Sequence, residues 1–117
     1  MKKFLSFIVI VLVIIVSCTK GNVDNSSNNN NNPICTGTKS YATDVSPIIS
    51  SVCASSGCHD ASSVNGPGPL TNYQQVFNAR ALIRSAVASG LMPQNSTLPS
   101  DQKNAILCWI DNGALNN

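Results

Sequence analysis

The sequence predicts a small all-α domain, and three observations lead to this prediction. Apolar residues recur at helical spacing in several short segments. Residues that favour helix ends, such as Ser, Asn, Pro and Gly, stand at the borders of those segments. No segment shows the sustained alternation of apolar and polar residues that is typical of strands. We therefore expect about four short helices, joined by loops, in residues 35–117.

The N-terminal part of the chain has the pattern of an export signal. Lys2 and Lys3 precede a run at 4–16 that is apolar except for one serine, and this run is too short to span a bilayer comfortably. The following Ile15-Val16-Ser17-Cys18 resembles the lipobox of bacterial lipoproteins, in which the cysteine is acylated. We predict a signal peptide at 1–17 and a lipid anchor on Cys18. The alternative is an ordinary secretory signal in which Cys18 has no such role.

Residues 18–34 are predicted to be a disordered tether. They are mostly Gly, Asn, Ser and Asp, and they bury too little apolar surface to offset the entropy of ordering. A domain as small as residues 35–117 usually needs a disulfide, a metal or a cofactor to be stable. Once Lys2 and Lys3 leave with the signal, basic and acidic residues balance, so the composition does not indicate a nucleic-acid partner.

The elements follow in order along this domain. A first helix is expected with Ser46 as its N-cap and Pro47 at its first position, and a loop rich in Gly and Pro is expected at 59–70. A short helix capped by Thr71 and another capped by Asn78 come next, and the second of these ends near Gly90. The last helix is predicted from 99–101 to 113, where an acidic residue in the first turn suits the helix dipole.

One motif in the domain carries distinctive chemistry. The chain has one histidine, and this His59 directly follows a close pair of cysteines, Cys53 and Cys58. A c-type haem needs that order, because two thiols bind its vinyl groups and the next residue supplies an imidazole to the iron. Four residues separate the cysteines instead of the usual two, and Gly57 and its small neighbours allow such a bulge. The alternatives are a Cys53–Cys58 disulfide and a zinc site.

A second iron ligand is predicted at Met92. Met1 is lost with the signal, so Met92 is the only methionine of the mature chain. It precedes Pro93 in a loop between two helices, where its thioether is free to bind iron opposite His59. The alternative is that Met92 packs in the core as an ordinary apolar residue.

Together these landmarks give the domain a family resemblance. The segments 44–49, Cys53 to His59, Gly90-Leu91-Met92-Pro93 and the run 109–114 resemble, in order, small c-type cytochrome domains of planctomycetes and of Bacteroidetes lipoproteins. The match covers roughly residues 41–115. The resemblance implies a cytochrome c-like fold around one covalent haem c, with Cys53 and Cys58 as thioether residues and His59 and Met92 as axial ligands. It also implies that Trp109 packs near the haem. The wider cysteine spacing and Gln94, where many relatives have a second proline, depart from the family pattern.

The remaining cysteines predict a structural disulfide. With Cys18 lipidated and two cysteines bound to haem, Cys35 and Cys108 are left in an oxidising compartment, where they are expected to pair. The alternative is two free thiols.

The predicted function is single-electron transfer with an unidentified redox protein partner, and no substrate or enzymatic activity is expected. The predicted location is the cell envelope, on the periplasmic or cell-surface face of a bacterial membrane. Two other functions fit the sequence less well: a disulfide-stapled lipoprotein interaction module without haem, and a haem sensor or peroxidase-like protein.

Overall fold

The computed structural model describes residues 35–117, the range predicted as the folded domain. Three helices and no strand occur in this range, which confirms the all-α class but corrects the predicted number of helices. No helix in this part of the chain is long and apolar enough to cross a membrane. The predicted signal peptide, the lipidated Cys18 and the tether lie outside the described residues.

The first helix, α1, is a continuous helical segment with wide turns at both ends. It consists of a π-helical turn at Tyr41–Val45, an α-helical turn at Ser46–Ile48 and a second π-helical turn at Ile49–Cys53. The predicted start at Ser46 is wrong because the Ser40 hydroxyl already caps the helix by accepting a hydrogen bond from the Thr43 N–H. Pro47 has no N–H, so it cannot donate a hydrogen bond to the preceding turn. That turn is π-helical, which is wider than an α-helical turn.

The second helix, α2, spans Tyr73–Ser89 and replaces the two helices predicted there. Asn72 caps it by accepting a hydrogen bond of 3.0 Å from the Gln75 N–H. The predicted cap Asn78 lies instead on the exposed surface of the helix, where its amide oxygen accepts a hydrogen bond from Gln74. The buried apolar stripe of α2 continues on both sides of Asn78, so the helix is not interrupted there. This stripe comprises Val76, Ala79, Ile83 and Val87. Gly90 ends α2 in the left-handed conformation, as predicted.

The third helix, α3, spans Ser100–Asp111 and packs against both α2 and the first turn of α1. Its predicted start after Pro99 is confirmed, and its end lies two residues before the predicted one at Gly113. Five consecutive residues of α3, at 105–109, are buried. A helix that is apolar on all sides over this length is expected only where neighbours cover it on every side, and α1 and α2 do so here.

An aromatic cluster fills the space between the start of α1, α2 and α3. The ring centroids of Tyr41 and Tyr73 are 5.1 Å apart, and those of Tyr41 and Trp109 are 5.4 Å apart. The Trp109 indole N–H donates to the Leu115 carbonyl at 2.8 Å, and the Tyr73 hydroxyl donates to the Ala114 carbonyl at 2.9 Å. These two bonds hold the segment after α3 against the cluster.

The disulfide predicted between Cys35 and Cys108 is present, with the two Cα atoms 5.3 Å apart. It joins the start of the domain to α3. Hydrogen bonds also join the first turn of α1 to Asn117, because the Ala42 and Tyr41 N–H groups donate to it at 2.9 and 3.0 Å. The aromatic cluster lies at this first turn, whereas Cys53 is at the last turn of α1.

Candidate functional site

Two adjoining cavities lie beside the last turn of α1. Their volumes are about 360 and about 510 Å³, within the range of roughly 300–1,000 Å³ that is typical of small-molecule and cofactor sites. Both cavities are lined by Cys53, His59, Gly66 and Met92, and Cys58 lines the larger one. The structure therefore brings together four of the five residues that the sequence predicted at a haem, the exception being Trp109, and these four come from three different segments of the chain.

His59 is buried, and its ring is oriented by a backbone group. Only 7% of His59 is exposed, and its Nδ1 lies 3.0 Å from the Gly68 carbonyl oxygen. A carbonyl oxygen can only accept, so Nδ1 carries a proton, and in the neutral imidazole the lone pair is then on Nε2. Among residues 35–117, no group forms a hydrogen bond with Nε2. Every fully buried side-chain nitrogen in this range has a hydrogen-bond partner, so Nε2, which has none, is not fully buried and is accessible. This arrangement of the two ring nitrogens is the usual one for a metal-binding histidine.

The loop between the two cysteines closes on itself. Cys53 is the last residue of α1, and its carbonyl accepts a hydrogen bond of 3.0 Å from the His59 N–H. The intervening residues form a turn in which the Cys58 N–H donates to the Ser55 carbonyl at 3.0 Å. Gly57 has a φ of 81°, which only glycine adopts without strain. The wider cysteine spacing thus takes the form of an outward bulge, and the ends of the motif stay close together.

The two cysteines differ in their surroundings. Cys53 is half-buried and Cys58 is exposed, and both are free thiols within the described residues. Burial raises the pKa of the Cys53 thiol, and the nearby Cys58 raises it further. The Cys53–Cys58 disulfide considered as an alternative is not formed here.

Met92 is held at the cavities by the end of α2. After the left-handed turn at Gly90, the N–H groups of Leu91 and Met92 both donate to the Ala86 carbonyl, at 2.9 and 3.2 Å. The Met92 side chain is half-buried and lines both cavities. The loop placement predicted for Met92 is confirmed, and a role purely in the core does not fit a residue that lines two cavities.

The walls of the cavities contain residues whose role was not predicted. The smaller cavity is almost entirely apolar, and it is lined in part by the exposed Leu82 and Leu91, which are 63 and 70% accessible. Pro67 and Leu70 form another part of its wall. No charged side chain is among the described residues that line either cavity. The apolar residues of α2 extend beyond the face that packs in the core. This feature of the sequence could have indicated that α2 forms part of a cavity wall.

Trp109 does not line either cavity. It is 1% exposed within the aromatic cluster, where it contacts Tyr41 and donates to the Leu115 carbonyl. Its packing near a haem stays a prediction, whereas its packing in the core follows from these contacts.

No protein-family model, no curated protein and no solved structure matches this chain. Among residues 35–117, no group of three or more His, Cys, Asp and Glu side chains is arranged to hold a metal ion. The donor atoms at the cavities are instead one imidazole nitrogen, one thioether sulfur and two thiols. One imidazole, one thioether and two thiols beside an apolar space form a set that suits a covalently bound metal macrocycle.

Proposed function

We propose that residues 35–117 form a monohaem c-type cytochrome domain that transfers single electrons outside the cytoplasm. The observation that supports it best is that His59 and Met92, which belong to different segments, line the same two cavities together with Cys53. A haem c that carries electrons is held by two thiols and by two protein donors to its iron, commonly an imidazole and a thioether.

The residues present fit such a group. The smaller cavity offers an apolar wall, and apolar surroundings favour a porphyrin ring. His59 offers Nε2, because its Nδ1–H is held by the Gly68 carbonyl. Leu82 and Leu91 are unusually exposed for large apolar residues, and a bound haem would cover part of their surface.

Each residue has a defined part in holding this group. Cys53 and Cys58 would each add to one vinyl group: the S–H bond breaks, an S–C bond forms, the hydrogen goes to the other vinyl carbon, and no electron is gained or lost. His59 and Met92 would both bind the iron, so a bound haem would have no free coordination site for a substrate. When bound, the haem supplies a reversible one-electron couple, and a methionine ligand raises its reduction potential. We therefore propose an electron carrier and not an enzyme.

The N-terminal pattern supports an envelope location for this carrier. The basic residues, the apolar run and the lipobox-like Cys18 favour export and a lipid anchor on a bacterial membrane. The Asn-rich segment at 18–34, predicted as a tether, would let the domain reach a redox protein partner near the membrane surface. The resemblance to c-type cytochrome domains of Bacteroidetes lipoproteins agrees with this location and remains part of the proposal.

The decisive experiment is expression of the full chain in a bacterial host that has cytochrome c maturation machinery. We expect a protein whose mass includes one haem, whose haem stays with the chain in acidified organic solvent, and whose reduced spectrum is low-spin. His59→Ala should lose the low-spin spectrum, while Asn78→Ala, which changes an exposed residue of α2 that lines neither cavity, should keep it.

Two results would contradict the proposal. A chain with no haem, in which Cys53 and Cys58 form a second disulfide, would favour the stapled interaction module instead. Haem that is extracted freely would show that the wide cysteine spacing does not permit thioether bonds.

A further inference from the structure

Side chains that follow the motif Cys53 to His59 form hydrogen bonds with the loop between its two cysteines. The Asn65 side-chain amide donates two hydrogen bonds, to the carbonyl oxygens of Gly57 and Cys58, each 3.1 Å long. The Ser63 hydroxyl also donates to the Cys58 carbonyl. From the other side, the Asp60 carboxylate accepts from the Gly57 N–H at 3.1 Å. Both peptide groups next to Cys58 are therefore held by side chains of the downstream loop.

Cys58 depends on these contacts more than the other members of the motif do. Cys53 ends a helix, and His59 is buried and bonded through its ring to Gly68. Cys58 is exposed and lies in a turn after Gly57. Of its two backbone groups, only the N–H forms a hydrogen bond with another residue of the bulge, the Ser55 carbonyl. In a motif with the usual spacing the short loop limits where the second cysteine can lie, and a loop with more residues loses that limit.

We infer that Asn65 is a positioning residue for Cys58, which directs the second thiol toward the cavity and so compensates for the four-residue spacing. Asn65 lines the larger cavity together with Gly57 and Cys58, so it lies next to the space concerned. By bonding the carbonyls on both sides of the Cys58 Cα, its amide fixes the direction of the Cα–Cβ bond. The inference rests on the proposed haem, and it concerns only whether the second thioether forms.

The number of thioether bonds distinguishes this role from a structural one. A haem joined through Cys53 alone keeps one vinyl group and leaves the Cys58 thiol free, while the mass of the complex is unchanged because thiol addition loses no atoms. Two measurements detect the difference: the red-shifted α band of the pyridine haemochrome, and alkylation of the denatured chain by iodoacetamide. With Cys35 and Cys108 paired, the parent chain should have no free thiol in its domain.

The test compares Asn65→Ala and Asn65→Asp with Asn65→Gln and Asn78→Ala in the full chain. Asp has the size of Asn but cannot donate, whereas Gln keeps the amide donor. Asn78 is a matched control because it is an exposed asparagine on α2 that lines neither cavity. Loss of two hydrogen bonds of ordinary net strength shifts a local equilibrium by roughly thirtyfold, so the Ala and Asp variants should show a readily measured fraction of free Cys58, where the parent shows none. The Gln variant should be partly rescued and the Asn78→Ala variant should match the parent.

Each outcome has a clear meaning. A parent chain without haem would refute the proposed function itself. A parent with two thioethers whose Ala and Asp variants also have two would overturn the inference about Asn65 and leave the proposed function intact. Loss of helical circular dichroism in those variants would also overturn it, because Asn65 would then support the fold as a whole and not the position of Cys58.

Discussion

Removal of the Cys35–Cys108 disulfide should cost the domain much of its stability. The bridge closes a loop whose ends are 73 positions apart, and in the chain-entropy model a loop of this length destabilises the unfolded state by about 4 kcal/mol. Small domains have an unfolding free energy of roughly 5–15 kcal/mol, so the bridge accounts for a large share of it. This figure agrees with the loss of about 2–5 kcal/mol that is typical when a native disulfide is removed from a small domain.

The suitable variant is Cys35→Ser. Cys35 is exposed, so the serine hydroxyl stays in water, and Cys108 remains as a buried thiol, which packs like a small apolar residue. Urea unfolding followed by circular dichroism measures the effect. With an m value of about 1–2 kcal/mol per molar urea, a loss of about 4 kcal/mol lowers the midpoint by roughly 2–4 M.

A neighbouring substitution provides the control. Thr36→Ala changes another exposed residue of the same segment and should alter the unfolding free energy by less than about 0.5 kcal/mol. If Cys35→Ser unfolds within about 1 kcal/mol of the parent with the same m value, the loop-closure reasoning is wrong. The hydrogen bonds from Ala42 and Tyr41 to Asn117 would then be sufficient to hold the two ends of the domain together.

Three further predictions follow from the site and the core. Met92→Ala should abolish the weak sulfur-to-iron charge-transfer band of the oxidised protein and lower its reduction potential. Leu91→Ala changes a residue at the same cavity and should keep the band. A parent protein without that band would contradict the assignment of Met92. In the chain produced without haem, iodoacetamide at pH 8 should alkylate Cys58 before Cys53. Cys53 is half-buried, and its raised pKa leaves a smaller fraction of the reactive thiolate. Peptide mass spectrometry measures the order, and equal rates at the two cysteines would contradict this prediction. Tyr73→Phe should lower the unfolding free energy by about 1 kcal/mol through loss of the hydrogen bond to the Ala114 carbonyl, and unchanged urea unfolding would show that this bond contributes little.

Local signals predicted most of the fold. The left-handed Gly90 ends α2, and Pro99 precedes α3, because both residues act through the conformation of their own backbone. The predicted break at Asn78 failed for a different reason. Asparagine favours helix ends but costs little inside a helix, and the apolar stripe on both sides of it decided the outcome.

The start of α1 also could not be read from a single residue. Ser40 and Ser46 are both plausible caps by residue type, and Pro47 favours the second. The structure begins the helix at Tyr41, where the ring packs against Tyr73 and Trp109. These partners are distant in sequence, so local propensity contains no information about them.

The sequence by itself identified the residues that have the chemistry of the candidate site, and it predicted that Cys35 pairs with Cys108. Few residues of the required types are present: the chain has one histidine, and residues 35–117 contain one methionine and four cysteines. Only the tertiary structure decided that His59 and Met92 line the same cavities, that Gly68 orients the imidazole, and that Asn65 holds the wide cysteine loop. Each of these depends on contacts between segments that meet only when the helices pack, and a sequence pattern records spacing along the chain and not distance in space.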